Sequence, residues 1–348
     1  MDADAGGVAL RVPSPGFATR PPAVRNRALV PAAALDAMAF AWNSRAYPAR
    51  DVVLRRVPNA YVLGEGLVFD QNLAVVPASV TQHAPAEVDA AAARLRAVAA
   101  GGIPTLPGTT LLCAKRGATN YGHWLYEMLP VAWLGRTQLC AGEWRALVPG
   151  AEGRLGAVIR DALGLLGVPP GQVAAVMPTP QRAEELLIVE GLTAHGRYIS
   201  PLVAECLADL SRGIALGEAE RLWVSRAGEN RSFWNEAELC AVLAASGWTV
   251  CQPGRLPLRE QVRLFKGARH VAGVAGAGLA NLAFAASGAR VTSFTPAAMP
   301  ETFFWLLSEL CGHDYREIRT PQAERKVGTT AWDGSLVLGL PDVLAYLA

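Results

Sequence analysis

Short β-type apolar runs alternate with helical segments along most of this chain, and the alternation comes round twice. DVVLRRV, YVLGEGLVF and LAVVPA open the first round near residue 51. A helix over about 86–99, a strand at TLLCAK and a helix from about Asn120 follow, then RALVPG, QVAAVMP and ELLIVEG as strands with GRLGAVIRDALGLLG and SPLVAECLADLSRG as helices. The second round is cleaner: RLWVSR, WTVCQP, RHVAGVAG and RVTSFTP read as strands, NEAELCAVLAAS, LREQVRLFKGA and AGLANLAFAA as the helices between them. PETFFWLLSELCG closes the round as a helix with Pro300 near its first turn. This pattern predicts an α/β fold of layered helices and largely parallel sheets. It divides most simply into a loosely packed arm over 1–50, rich in proline and alanine, an α/β domain over 51–212 and a second over 213–348. With 51% of its 348 residues hydrophobic, the chain has the material for two large cores.

Charge and composition remove several classes of function. A net charge of +2 is far from the basic excess of a nucleic-acid binder, so no nucleic-acid partner is expected. No stretch of 18 apolar residues escapes a charge, a proline or a glycine cluster, and the opening MDADAGG has no basic signal region; a cytoplasmic protein is expected. The Arg259, Arg263 and Lys266 stripe on LREQVRLFKGA reads as solvated surface, able to meet anionic lipid at the inner membrane face. Cysteines 113, 140, 206, 240, 251 and 311 form no CxxC pair and read as reduced core residues. The histidines lack metal-ligand spacing, and the DxD-like triplet Asp2-Ala3-Asp4 stands outside the patterned region. Neither a metal site nor a resident cofactor is expected.

Four segments can carry chemistry. In TNYGHWLYEMLP, placed on an α-helix, Trp124, Leu125, Met128, Leu129, Val131 and Ala132 share an apolar arc, while Asn120, His123 and Glu127 fall together on the other side. A histidine and a carboxylate at i,i+4 can touch, and the carboxylate can orient the ring and raise its basicity. The same pair is also a common feature of a solvated helix face. Pro130 is expected to kink the helix one turn beyond. In RHVAGVAGAGLANLAF, an apolar strand runs into Gly276-Ala277-Gly278-Leu279 and a helix carrying Asn281. Backbone amides there can approach a phosphate, or the glycines can serve close packing alone. Asn281 occupies the third glycine of a dinucleotide fingerprint and no ribose-binding acid follows, which disfavours NAD. In WVSRAGENRSFWNEAEL, Arg226 and Arg231 leave the carboxyl end of a strand, the usual ligand crevice of an α/β sheet. Asn235 and Glu238 read there as helix caps, with Gly247 past the helix end. In LREQVRLFKGA, Gln261 falls within the apolar arc and needs a hydrogen-bonding partner.

Taken in order, N-Y-G-H-W-L-x-E-x-L-P at 120–130, S-R-x(4)-R-x(3)-N-E-x-E-L at 225–239, E-Q at 260–261 and G-x-x-G-A-G-L-x-N-x-x-F at 273–284 resemble glycosyltransferase family 61, with the tail ETFFWLLSELCGHDY similar to its closing segment. Many members have histidine where this chain has Ala275, and glutamate in the strand that here reads VTSF. The resemblance implies a GT-B-like arrangement, two Rossmann-like domains facing across a cleft. It also implies metal-independent, inverting transfer from a nucleotide sugar to a glycan or lipid-linked glycan acceptor, as in bacterial surface polysaccharide synthesis. His123 braced by Glu127 would be the base. Arg226, Arg231 and the residues Gly276, Ala277, Gly278, Leu279 and Asn281 would hold the donor diphosphate. Asn120, Asn235, Glu260 and Gln261 would position substrate or loops. A sugar-nucleotide-binding protein without catalysis is the alternative.

Overall fold

The computed structural model describes residues 7–99, 101–323 and 330–348. The chain is a mixed α/β protein that divides into two compact units, each built on its own sheet. Of the described residues, the first contains those within 7–15, 49–193 and 205–210, and the second those within 16–48, 194–204, 211–323 and 330–348.

In the first unit the sheet order is Val8–Ser14, Arg50–Leu63, Gln181–Glu190, Thr105–Leu112, Trp144–Val148, Val173–Ala175, with Leu67–Phe69 also paired to Arg50–Leu63. The last four strands of this order run parallel, whereas Arg50–Leu63 is antiparallel to each of its neighbours. Ala60, Val62, Leu112, Leu147, Leu186 and Ile188 form much of its core. A side cluster of Leu63, Leu67, Phe69 and Leu95 seats the helix Pro85–Val98.

The second unit has a six-stranded, all-parallel sheet in the order Thr249–Cys251, Arg221–Val224, His270–Val274, Arg290–Pro296, Asp314–Thr320, Ala23–Arg25. Apart from the last strand this is the doubly wound 2-1-3-4-5 order, in which the chain reverses direction across the sheet between the first and third strands. His270–Val274 is buried at every position, as a central strand covered on both faces must be. Trp223, Phe233 and Phe294 pack ring to ring in its core with Leu239, Leu243 and Leu347.

Residues 1–50, read from sequence as an arm, contribute structure to both units. Val8–Ser14 is an edge strand of the first sheet and Ala23–Arg25 closes the second. The helix Ala32–Asn43 buries Met38 and Ala41 completely. Proline and alanine hid these elements because the strands are short and the alanine-rich helix buries a narrow stripe.

Three further elements differ from expectation. AGLANLAFAA is a 3-10 segment over Ala277–Phe284 and not an α-helix. The buried Asn281 amide donates to the Gly278 carbonyl at 3.1 Å, competing with the backbone for that acceptor. Pro130 gives no simple kink: the turn before it, Trp124–Met128, opens into a π-helix, with the Leu129 N–H on the Trp124 carbonyl. Proline cannot donate to the Tyr126 carbonyl and crowds it, and the wider turn relieves both problems. Lys266, expected in the solvated stripe, donates to the carbonyls of Ser211 at 2.9 Å and Ile214 at 2.6 Å. It thereby satisfies acceptors left over at the end of helix Pro201–Ser211.

Candidate active site

Within the first unit, the chain leaves strand Thr105–Leu112 and turns through Lys115 and Gly117 into the His123 helix. The Asn120 side chain caps that helix, accepting from the N–H groups of Gly122 at 2.8 Å and His123 at 3.4 Å. Thus Asn120 fixes the first turn and with it the origin of the His123 side chain. Gly117, at φ +87°, lies against the ring: a Cβ there would be 2.8 Å from His123 Cγ. Gly66, at φ +81°, packs so closely on the neighbouring backbone that a Cβ would be 2.7 Å from the Ala114 carbonyl carbon. Two left-handed glycines therefore press on either end of the Lys115 turn.

His123 Nδ1 lies 3.3 Å from Glu127 Oε2, so the i,i+4 contact foreseen in the sequence exists. Its setting differs from the solvated helix face of the wheel diagram. Glu127 is buried at 6% exposure, and the same Oε2 lies 2.6 Å from Lys115 Nζ. The π-turn carries all of Trp124–Met128 into the interior, Glu127 with it. A buried carboxylate requires a charged partner, and Lys115 provides it. With Nδ1 facing the carboxylate, the proton-accepting lone pair of a neutral ring is on Nε2. Sequence reasoning missed Lys115, although it is one of three lysines in an arginine-rich chain and ends a strand.

In the second unit, Arg226 follows strand Arg221–Val224 and Gly276 follows strand His270–Val274. These adjacent strands flank the point where the sheet order reverses, and both residues stand at their carboxyl ends. Arg226 is buried at 8% exposure and lies directly on Gly276, where a Cβ would be 2.9 Å from the guanidinium carbon. Its Nε donates to the Asn230 carbonyl at 2.9 Å, and Nη2 is 3.2 Å from Glu229. Burial, then the nearby Arg231 charge, lowers the Arg226 pKa from its ordinary value. Arg231 adopts φ +65°, rare for a residue with a side chain, which turns its guanidinium toward Met299 Sδ at 3.5 Å and Asp333 at 3.9 Å. Thr330 hydrogen bonds, followed by the charges of Arg231 and Arg226, hold the Asp333 carboxyl below its usual range despite partial desolvation. Arg226, Arg231 and Gly276 are thus brought together at a sheet's ligand crevice, with Glu229 beside the first arginine and Asp333 beside the second.

Several other expected residues have structural duties. Gln261, 2% exposed, donates to the Leu256 carbonyl at 2.9 Å and accepts from Asn281 at 3.0 Å. Asn281 is fully buried, so this pair ties helix Leu258–Gly267 to the 276–284 turn. Leu279 is fully buried, whereas Ala277 and Gly278 are partly exposed. Glu260 is exposed and lies 3.5 Å from Arg263. Asn235 stands at the N-cap position but its side chain makes no cap bond. The neighbouring Glu236 takes over from a buried position, with Oε1 accepting from Ser225 Oγ at 2.7 Å and the Arg226 N–H at 3.1 Å, and Oε2 from the Phe233 N–H at 3.0 Å. It therefore fastens both ends of the Arg226–Arg231 loop. A glutamate inside the expected first turn was the available signal, and the cap assignment to Asn235 obscured it.

Residues 121–292 match the glycosyltransferase 61 family model, spanning the His123 helix, both arginines and the 276–284 turn. This is the family that the motifs resemble, and the match implies a glycosyltransferase, a class that works on a donor and an acceptor. A search of curated proteins finds no match. No helix among the described residues is long and apolar enough to cross a membrane.

Proposed function

We propose that this protein transfers a sugar, with inversion and without a required metal, from a nucleotide-sugar donor to a glycan or lipid-linked glycan acceptor. The observation that carries the reading is the meeting of Arg226, Arg231 and Gly276 at the reversal point of the second sheet. Two close cations at the ligand crevice of a sheet suit a diphosphate, which would draw them from Glu229 and Asp333, and they stabilise the negative charge that grows as the donor bond breaks. In this reading the domains are those of a GT-B enzyme, residues 213–348 binding the donor and 51–212 the acceptor across a cleft. His123 Nε2 takes the proton of an acceptor hydroxyl. The oxygen then bonds the anomeric carbon as the bond to the diphosphate breaks and the nucleoside diphosphate departs. Glu127 orients the ring, and Lys115, 2.6 Å away, pairs with Glu127. The amides over Gly276–Leu279 add donors to the phosphate, Ala277 and Gly278 being the accessible members. A cytoplasmic location with peripheral membrane contact, and a role in bacterial surface polysaccharide synthesis, fit this chemistry.

The test is a pair of measurements on His123→Ala. Turnover of a nucleotide sugar should fall about 10²–10⁴-fold, while stabilisation by the nucleoside diphosphate persists. Near-normal turnover would assign the base elsewhere. Loss of activity in a chelator, restored by magnesium or manganese, would refute metal independence. Nucleotide-sugar binding without turnover in the unaltered protein would favour a binding role.

A further inference from the structure

The first unit has its own ligand crevice. Strands Thr105–Leu112 and Gln181–Glu190 are parallel neighbours in its sheet. At their carboxyl ends lies a cavity of about 260 Å³, bounded on one side by Leu112, Ala114 and Lys115 and on the other by Ile188 to Thr193. This is the position at which open α/β sheets bind ligands. Its polar wall includes Lys115, Glu127 and Thr81, whose Oγ1 is buried with no hydrogen-bond partner. A hydroxyl without a protein partner on a cavity wall gives a polar occupant a group to hydrogen-bond. A second cavity, about 350 Å³, is bounded by Arg55, Pro58, Asp70, Gln71 and Asn72. Ala78, Ile188 and Glu190 line both spaces, so the two meet.

The chemistry of the walls selects the occupant. Val57, Pro58, Val76 and Ile188 make an aliphatic floor in the second cavity, while Asp70, Gln71, Asn72, Glu190 and the arginines supply planar donors and acceptors. A sugar ring presents an apolar C–H face and hydroxyls around its edge, matching a floor and a rim of this kind. A lipid chain would desolvate the Arg55–Glu190 pair, 2.8 Å apart, with nothing in return. Each cavity is near the small end of ligand pockets, so a molecule occupying both exceeds one sugar unit.

We propose that the two cavities form one track for an acceptor oligosaccharide of at least two sugar units, with its reacting end at Lys115 and Glu127. The inference rests on the glycosyltransferase reading above, and it adds the site and the length of the acceptor. The test is direct binding of gluco-, xylo- and manno-oligosaccharides, from mono- to hexasaccharide, by ligand-observed NMR without donor. At least one series should gain about tenfold or more in affinity beyond the monosaccharide. Ala78→Phe, which fills the junction, should abolish the gain, and Asn72→Ala on the exposed rim should reduce it without disturbing the fold. Absence of binding across the panel, or a length dependence untouched by both variants, overturns the track. Length-dependent binding beside a fully active His123→Ala would instead fault the catalytic reading and leave the track standing.

Discussion

Replacing Glu236 tests whether the arginine loop is held by one buried carboxylate. In Glu236→Ala, Ser225 Oγ and the N–H groups of Arg226 and Phe233 lose their acceptor. Ser225, Arg226 and Phe233 are 5%, 8% and 2% exposed, so water reaches these donors poorly. Each buried donor left unmade costs about 1–3 kcal/mol. Removing a buried charge returns part of that sum, so the net loss should be about 3–5 kcal/mol. Glu236→Gln keeps one oxygen and turns an NH₂ group toward a donor, at a smaller cost of about 1–2 kcal/mol. Urea unfolding followed by circular dichroism gives both values, and a thermal-shift titration with a nucleoside diphosphate reads the loop. Weaker nucleotide stabilisation should accompany lost stability even where the protein remains folded. A change under about 1 kcal/mol in Glu236→Ala would mean that water or the backbone replaces the carboxylate, and the reasoning fails.

Gly276→Ala needs no unusual backbone angle but displaces the flexible end of Arg226; nucleotide binding should weaken while the melting temperature barely moves, and the reverse pattern in thermal-shift titrations would refute this. Arg226→Ala and Arg231→Ala should each weaken nucleoside-diphosphate binding by about 1.5–3 kcal/mol, measured by calorimetry; unchanged affinity in both would move the diphosphate elsewhere. Burial, with help from Arg290, Arg316 and Arg221, depresses the His270 pKa to about 4, so its contribution to stability is complete above the unfolded value near 6.5 and is lost as pH falls through 4. His270→Gln should therefore flatten the stability–pH curve between these limits by on the order of 2–3 kcal/mol; an unaltered slope would show that the ring is protonated in the folded protein.

Much of the architecture was legible because period and punctuation agree. RLWVSR and RHVAGVAG carry short unbroken apolar runs, as strands buried on both faces do, and turn residues bound them. The reversal that makes the Arg226–Gly276 crevice was not legible, since strand order depends on which side of the sheet each crossover packs. The His123–Glu127 contact was readable from spacing. The burial of Glu127 was not, because the wheel assumes 100° per residue and the π-turn breaks that assumption one turn before Pro130. Gln261 was correctly seen to need a partner, but Asn281 lies beyond the next strand, out of reach of local reasoning. Glu236 and Lys115 were missed for a common reason: each meets its partners across an irregular loop or turn, and periodicity carries no information about those.

Strand Ala23–Arg25 also bears on the order in which the molecule can be made. It pairs with Arg316 to Ile318, and the Asn26 side chain donates to the Arg319 carbonyl across 293 positions of sequence. Met38 Sδ and the Trp42 ring receive the buried Arg319 guanidinium from the same early segment. On a ribosome, therefore, the piece that closes the second sheet emerges before the strand it joins and must wait for the nearly 300 residues between them. Contacts this distant in sequence form slowly and leave a β edge open to wrong partners in the interval. Arg319, although held by Glu317 and by the Pro296 and Met299 carbonyls, likewise lacks the Met38 and Trp42 side of its enclosure until that early helix returns, so a fragment starting at residue 211 would present a charged, unfinished interior. The second unit can mature only after its strand at 314–320 has emerged to meet the early one.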